Sequence, residues 1–365
     1  MWSLLLIGIR AVVGEEVVIT DIDPPQRVLV VSQVTRVMQG DTPTVTLKPG
    51  QLMNFTKSNG DWRYTPEFRG WVSVRDVVPL EKSIDYFSKL IAEKPSSAAF
   101  HHRAIANIAL GKFDDALSDM DRAIEGGDKS TYAYVNRGIV HRELEKTDLA
   151  IEDFTQAAAV DPSNIQAFIL RGMLLLEQQH AEAALGDFDA VLKIESNHAE
   201  ALNQRGVALR LLDRPEEARI AFEKSVEVAP DFADAYANRA FAECQLGDFK
   251  AAVSDYEKAL ELMPSQPEFM NDYAWLLATC RDATILNADK AVELAEKACE
   301  STETPDPSFL DTLAAAYARK GEYNKAFETA TKALEAVSSG SLVGEIDSRR
   351  ELYNQQKPFT EEEVK

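Results

Sequence analysis

Five arginines recur at one spacing: Arg103, Arg137, Arg171, Arg205 and Arg239 stand 34 residues apart. Such a ladder of guanidinium groups is an arrangement that grips phosphates, because each group offers a planar fork of N–H donors. Sixteen residues after the arginines, however, stand Asp119, Asp153, Asp187, Ala221 and Asp255. Where the arginine gives way to Tyr273 and Leu313, the acid is gone as well, at Leu294 and Thr329. Four of the five guanidinium groups therefore carry a carboxylate of their own. Arg103–Asp119, Arg137–Asp153, Arg171–Asp187 and Arg239–Asp255 are expected as structural ion pairs, and Arg205 is left without that acid.

The remaining reactive side chains make no constellation. His101, His102, His141, His180 and His198 show no HExxH and no Cys/His cluster, so no metal is expected. Cys244, Cys280 and Cys299 are too few and too scattered for a disulfide framework or a zinc site. GxGxxG, Walker A and GxSxG sequences are absent. The sequence thus predicts no catalytic residues, no cofactor and no enzyme activity. A formal charge of −21 argues against nucleic acid and against an anionic membrane as partners. Trp2–Ile9 is apolar but far short of the ~20 residues of a membrane span. Residues 1–14 read either as a signal peptide or as an extra apolar strand; the first reading favours an extracytoplasmic or periplasmic location over the cytoplasm.

The elements that would hold the arginines follow from the same period. Ala116, Ala150, Ala184, Ala218 and Ala252 are 34 apart, and twelve residues before them stand Ala104, Gly138, Gly172, Gly206 and Ala240. Four residues after them come Met120, Phe154, Phe188, Phe222 and Tyr256. Small residues on facing sides let two antiparallel helices approach, and the large residue is expected to fill the space between neighbouring pairs. Pro162, Pro230 and Pro264 close three of the units. A helix pair cannot bury its apolar face alone, so the units must stack.

This pattern resembles the tetratricopeptide repeat, most closely over Asp234–Pro264. The resemblance implies a mostly α fold, a right-handed α-solenoid. About seven repeats are expected, at 97–130, 131–164, 165–198, 199–232, 233–266, 267–306 and 307–337, after an entry helix at 81–96. Ala274 and Ala291 are 17 apart rather than 12, which puts five extra residues in the turn of the sixth repeat. Residues 338–365 read as a capping helix, Leu342–Gln355, and an acidic tail whose last residues, Glu361–Lys365, are expected to fray.

Residues 15–80 change character to valine- and threonine-rich runs parted by Asp23-Pro24-Pro25, Lys48-Pro49-Gly50 and Asn59-Gly60. With Asn59-Gly60-Asp61-Trp62 and Gly70-Trp71-Val72, the stretch resembles bacterial Src-homology-3-like barrels, small and all-β. Trp62 is the candidate for a ligand groove there, the alternative being that Trp62 or Trp71 fills the core. No Gly/Ser linker separates the two modules, so the barrel is expected to pack on the first helix.

In the repeat family the first helix of each unit lines a concave surface that takes peptides. Carried over by position, this surface receives Tyr132, Arg142, Met173, Asn203, Arg210, Phe241, Asn271 and Trp275, with Phe241 and Trp275 as anchors. The lysine/asparagine clamp for a C-terminal carboxylate is missing. The resemblance implies a non-catalytic scaffold for a protein or peptide partner, apolar with some positive charge, and the capped ends imply a monomer. The alternatives are a cell-envelope protein whose barrel binds wall peptide, or a non-catalytic subunit of an enzyme supplied in trans.

Overall fold

The computed structural model describes residues 20–31, 35–39, 42–47, 51–302, 304, 306–337 and 340–361. The apolar segment of residues 1–14 and the Lys48-Pro49-Gly50 turn signal lie outside them, as do residues 362–365. Contacts divide the chain into two compact units, Met1–Arg171 and Gly172–Lys365.

The first unit opens with seven strands: β1 (Thr20–Val30), β2 (Thr35–Gln39), β3 (Thr42–Leu47), β4 (Leu52–Asn59), β5 (Trp62–Thr65), β6 (Gly70–Ser73) and β7 (Val77–Pro79). They form one antiparallel sheet in the order β3-β2-β6-β5-β4-β1-β7. Its core is aliphatic with one ring: Val28, Val30, Val37, Leu47, Met53, Phe55, Val72 and Val77. Asp23-Pro24-Pro25, expected to end a strand, falls inside β1. There the pairing with β4 slips between Asp21 and Gln26, because proline has no N–H to give to the ladder. Leu29 packs with Leu80, Phe87 and Ala106, so sheet and first helices share a core.

Sixteen helices follow among the described residues. In the first unit α1 (Leu80–Glu93) precedes the pairs α2 (Ser97–Ala109) with α3 (Phe113–Glu125) and α4 (Thr131–Glu143) with α5 (Thr147–Val160). Then come α6 (Ile165–Glu177), α7 (Ala181–Ile194), α8 (Ala199–Leu211), α9 (Pro215–Val228), α10 (Ala233–Leu246), α11 (Phe249–Leu262), α12 (Pro267–Thr279) and α13 (Ala288–Glu300). The series ends with α14 (Pro307–Lys320), α15 (Tyr323–Ala336) and α16 (Ser341–Asn354). These helices form a tetratricopeptide solenoid.

The spacing of small and large residues has a direct steric cause. A Cβ built on Gly138 would stand 2.7 Å from the Phe154 ring, on Gly172 2.8 Å from Phe188, and on Gly206 2.4 Å from Phe222. Each phenylalanine thus lies against the glycine of its own pair, a closer relation than the spacer between pairs that the sequence suggests. The turn inside six of the pairs, all but α12–α13 with its longer turn, uses one left-handed residue. Gly111, Gly247 and Gly321 supply it, while Glu145, Gln179 and Asp213 adopt it at φ 58, 62 and 56°.

Candidate functional site

The polar ladder ties the two helices of a pair together. Arg103 donates to Asp119 at 2.6 Å, Arg137 to Asp153 at 2.7 Å and Arg239 to Asp255 at 2.5 Å, each aspartate being buried. Hydrogen bonding to Asp119, Asp153 and Asp255 respectively holds these three guanidinium groups above their ordinary pKa. Arg171 donates to Thr155 Oγ1 at 3.0 Å, and Asp187 is buried in the second unit.

A second register, sixteen residues upstream, went unread in the sequence. Arg137 reaches Asp121 at 3.0 Å, Arg171 reaches Thr155, and Arg205 reaches Asp189 at 2.8 Å. Tyr273, standing where the arginine would be, donates its hydroxyl to Glu257 at 3.0 Å. Arg205, expected to lack an acid, is therefore held by the preceding pair. The signal was present: Asp121, Thr155, Asp189 and Glu257 all precede the ladder residue by 16.

The surface residues expected to bind a partner sort unevenly. In the first unit Tyr132 is exposed on α4, and Arg142 pairs with its neighbour Glu143 at 2.7 Å. In the second, Met173 is half-buried on α6. Asn203 is buried and accepts a hydrogen bond from Asn238 Nδ2 at 3.0 Å, so its carbonyl ties α8 to α10. Trp62 and Trp71 are half-buried in the sheet, outside its core cluster, with Trp71 edge-on to Tyr64 at 5.4 Å.

Arg210, Phe241, Asn271 and Trp275 do come together. Phe241 is 38% exposed and carries the Arg210 guanidinium over its ring at 4.8 Å. It borders two cavities of about 220 and about 640 Å³. The smaller is edged by Arg210, Asp234, Glu268 and Asp272. The larger reaches past Asn271 and Trp275 to Arg281, the Asp311–Arg349 pair and Phe359.

Burial shapes the charges here. It lowers the pKa of Arg210, whose Nε has no partner, and raises that of Asp272. Asp311 is also raised by burial despite Arg349 at 2.7 Å, because desolvation of the carboxylate outweighs the guanidinium's attraction. Asn271 donates to Asp272 at 3.3 Å while its Oδ1 is buried without a partner. Buried polar atoms without a partner are rare in folded proteins, and the residues carrying these two line the cavities.

The structure also brings to this site the segment Phe359-Thr360-Glu361, of which Glu361 was expected to fray. After α16 the chain turns back, and Phe359 lies 5.9 Å from the Trp275 ring. Glu361 donates its N–H to the Thr279 carbonyl at 2.9 Å and accepts from Trp275 Nε1 at 2.6 Å. The cause is local: the last carbonyls of α12 have no helical partner. Glu361 fills one, and Arg319 fills another by donating to the Ala278 carbonyl at 2.5 Å.

Tetratricopeptide repeat family models match residues 102–165, 199–232 and 233–266. The chain carries tetratricopeptide repeats. A tetratricopeptide repeat protein from Parabacteroides merdae is similar in structure over 74% of this chain and 99% of its own, at 20% identity and TM-score 0.55. The C-terminal part of a repeat-containing protein from Cytophaga hutchinsonii is similar over 64% and 94%, at 20% identity and TM-score 0.51. YrrB, a repeat protein with an unusual peptide-binding site, is similar over 52% and 98%, at 23% identity and TM-score 0.46. At these identities the likeness is one of fold. None of the curated proteins matches the chain.

Proposed function

We propose that this protein is a protein-interaction scaffold that holds an extended segment of a partner on the first-helix faces of α10, α12 and α14. The observation that carries the proposal is the pair of adjoining cavities flanking Phe241, an exposed ring already braced by Arg210. Preformed apolar clefts with a few convergent polar groups are the usual form of a binding site. The aromatic anchors would supply most of the affinity. The unpartnered Asn271 Oδ1 would accept a backbone N–H from the segment. Asp234, Glu268 and Asp272 around the smaller cavity would favour a cationic side chain there.

Capture of partners from native lysate by the intact chain and by Phe241→Ala, with identification by mass spectrometry, tests this. Phe241 is partly exposed, so its removal should leave the fold intact. Partners lost with the variant support the surface; an unchanged set would overturn it.

A second reading concerns the sheet. The tight Asn59–Trp62 hairpin, with Gly60 left-handed, and the two tryptophans lying outside the core support a Src-homology-3-like module that presents Trp62. As a wall-peptide receptor it would bind purified cell wall, and Trp62→Ala would remove that binding.

A further inference from the structure

We infer that the Trp275 end of this surface recognises an extended segment of a partner with an aromatic residue, then a hydroxyl residue, then an acidic one, and that the chain's own Phe359-Thr360-Glu361 occupies the place until displaced. The inference rests on the scaffold function proposed above and names its ligand class.

Each of the three residues is met by a separate device. The Phe359 ring sits beside Trp275, with the Arg349 guanidinium 5.5 Å from Phe359 and 5.2 Å from Trp275. One cation thus serves two aromatic faces, an arrangement that favours an aromatic side chain over an aliphatic one. Arg349 is itself held by the buried Asp311, so the receiving group is rigid before any ring arrives. Arg319 donates to the Phe359 carbonyl at 2.6 Å and to Thr360 Oγ1 at 2.8 Å, which reads the backbone and the hydroxyl together. Trp275 Nε1 takes the Glu361 carboxylate, and the Thr279 carbonyl takes the Glu361 N–H.

The acidic preference at the third position is notable because the end of α12 carries partial negative charge. A carboxylate is tolerated there because the indole N–H meets it directly and the side chain stays exposed to water. The receptor side is independent of the segment: Trp275, Thr279, Arg319 and Arg349 lie on α12, α14 and α16. A few hydrogen bonds and one ring hold the segment, and the larger cavity continues past Phe359. A longer partner segment would make these same contacts and fill the cavity as well.

The test is a fluorescence-anisotropy titration with a labelled peptide of residues 355–365. It is run against the unaltered full chain and against the full chain carrying Phe359→Ala and Glu361→Ala. The peptide should bind the variant and bind the unaltered chain at least about tenfold more weakly, because a tethered competitor acts at millimolar effective concentration. Adding Trp275→Ala to the variant should abolish binding, as should a peptide with Phe359→Ala. Equal affinity for both chains, or no binding to a variant whose circular dichroism is native, would overturn the inference. If the variant does not fold, hydrogen exchange on the unaltered chain decides. Protection of the Glu361 amide should fall when unlabelled peptide is added in excess, and unchanged protection would sink the idea. Phe241 supplies none of the hydrogen bonds or ring contacts described above for Phe359-Thr360-Glu361, so loss of the lysate partners with Phe241→Ala stands or falls separately.

Discussion

The second and fifth repeats share an arginine–aspartate pair and differ in the third group set against it. In the second repeat His141 Nδ1 lies 2.9 Å from the buried Asp153 that also receives Arg137. In the first, Asn107 Nδ2 donates to Asp119 at 3.2 Å in the same way. The equivalent residue in the fifth repeat, twelve before Asp255, is Glu243. A carboxyl group there cannot donate to a carboxylate unless it is protonated. Burial, reinforced by the charge of Asp255, pushes the Glu243 pKa up to about 7, and its Oε2 has no partner. The early repeats therefore satisfy their buried acid, and the fifth, whose α10 carries Phe241, holds a frustrated one. Local rules tend to be broken where a surface has a task besides folding.

The largest effect expected from this contrast is on the second repeat. Asp153→Ala leaves both Arg137 and His141 without their buried partner and should cost about 3–5 kcal/mol in urea unfolding. Asp255→Ala should cost distinctly less, since it also relieves Glu243; equal losses would break the comparison.

Next comes Glu243→Gln. An unfolded glutamate titrates near ~4.3, whereas folded Glu243 titrates at about 7. Between those values the folded state holds more protons than the unfolded one. The stability due to this group therefore falls as pH rises through the window and is flat above it. The amide should remove that slope and stabilise the protein by on the order of 2 kcal/mol above pH ~7. Unfolding curves at acid and alkaline pH that shift in parallel for variant and parent would refute the assignment.

A steric contrast predicts a smaller effect. Gly206→Ala drives a methyl group into the Phe222 ring and should destabilise by about 1.5 kcal/mol. The fifth repeat already has alanine at this position, Ala240, and Ala240→Gly should bring no gain there. Thermal melts of the two variants give the comparison directly. The smallest effect belongs to Asp189→Ala. It removes the half-exposed partner of Arg205 and should cost about 0.5 kcal/mol, an amount that added salt erases.

Much of the architecture was legible in residue spacing. The 34-residue period gave the helix pairs, because a small residue opposite a ring leaves little sequence freedom, as Gly138 against Phe154 shows. The acids sixteen residues downstream of Arg103, Arg137 and Arg239 were equally plain, since a buried carboxylate demands a cation beside it. The candidate site was less so. Phe241 and Trp275 stood out as aromatics at surface positions, but Asn203, read as a holder of peptide backbone, proved to be a buried tie to Asn238. Type and register say which face of a helix a residue occupies. They do not say what the next helix places against it.

The sequence by itself determined the repeat, its length and the pairs of Arg103, Arg137 and Arg239 with the acids sixteen residues on, because those contacts lie at fixed offsets along one chain and recur. Only the tertiary structure decided how Arg205 is satisfied and that Glu243 faces a second acid. It alone brought Phe359-Thr360-Glu361 to Trp275, a contact spanning 86 residues between Trp275 and Glu361. Nothing repeats that contact and no local period encodes it. It arises because α12 ends with open carbonyls, α16 turns the chain back, and a ring and an N–H find there the partners that water would otherwise supply.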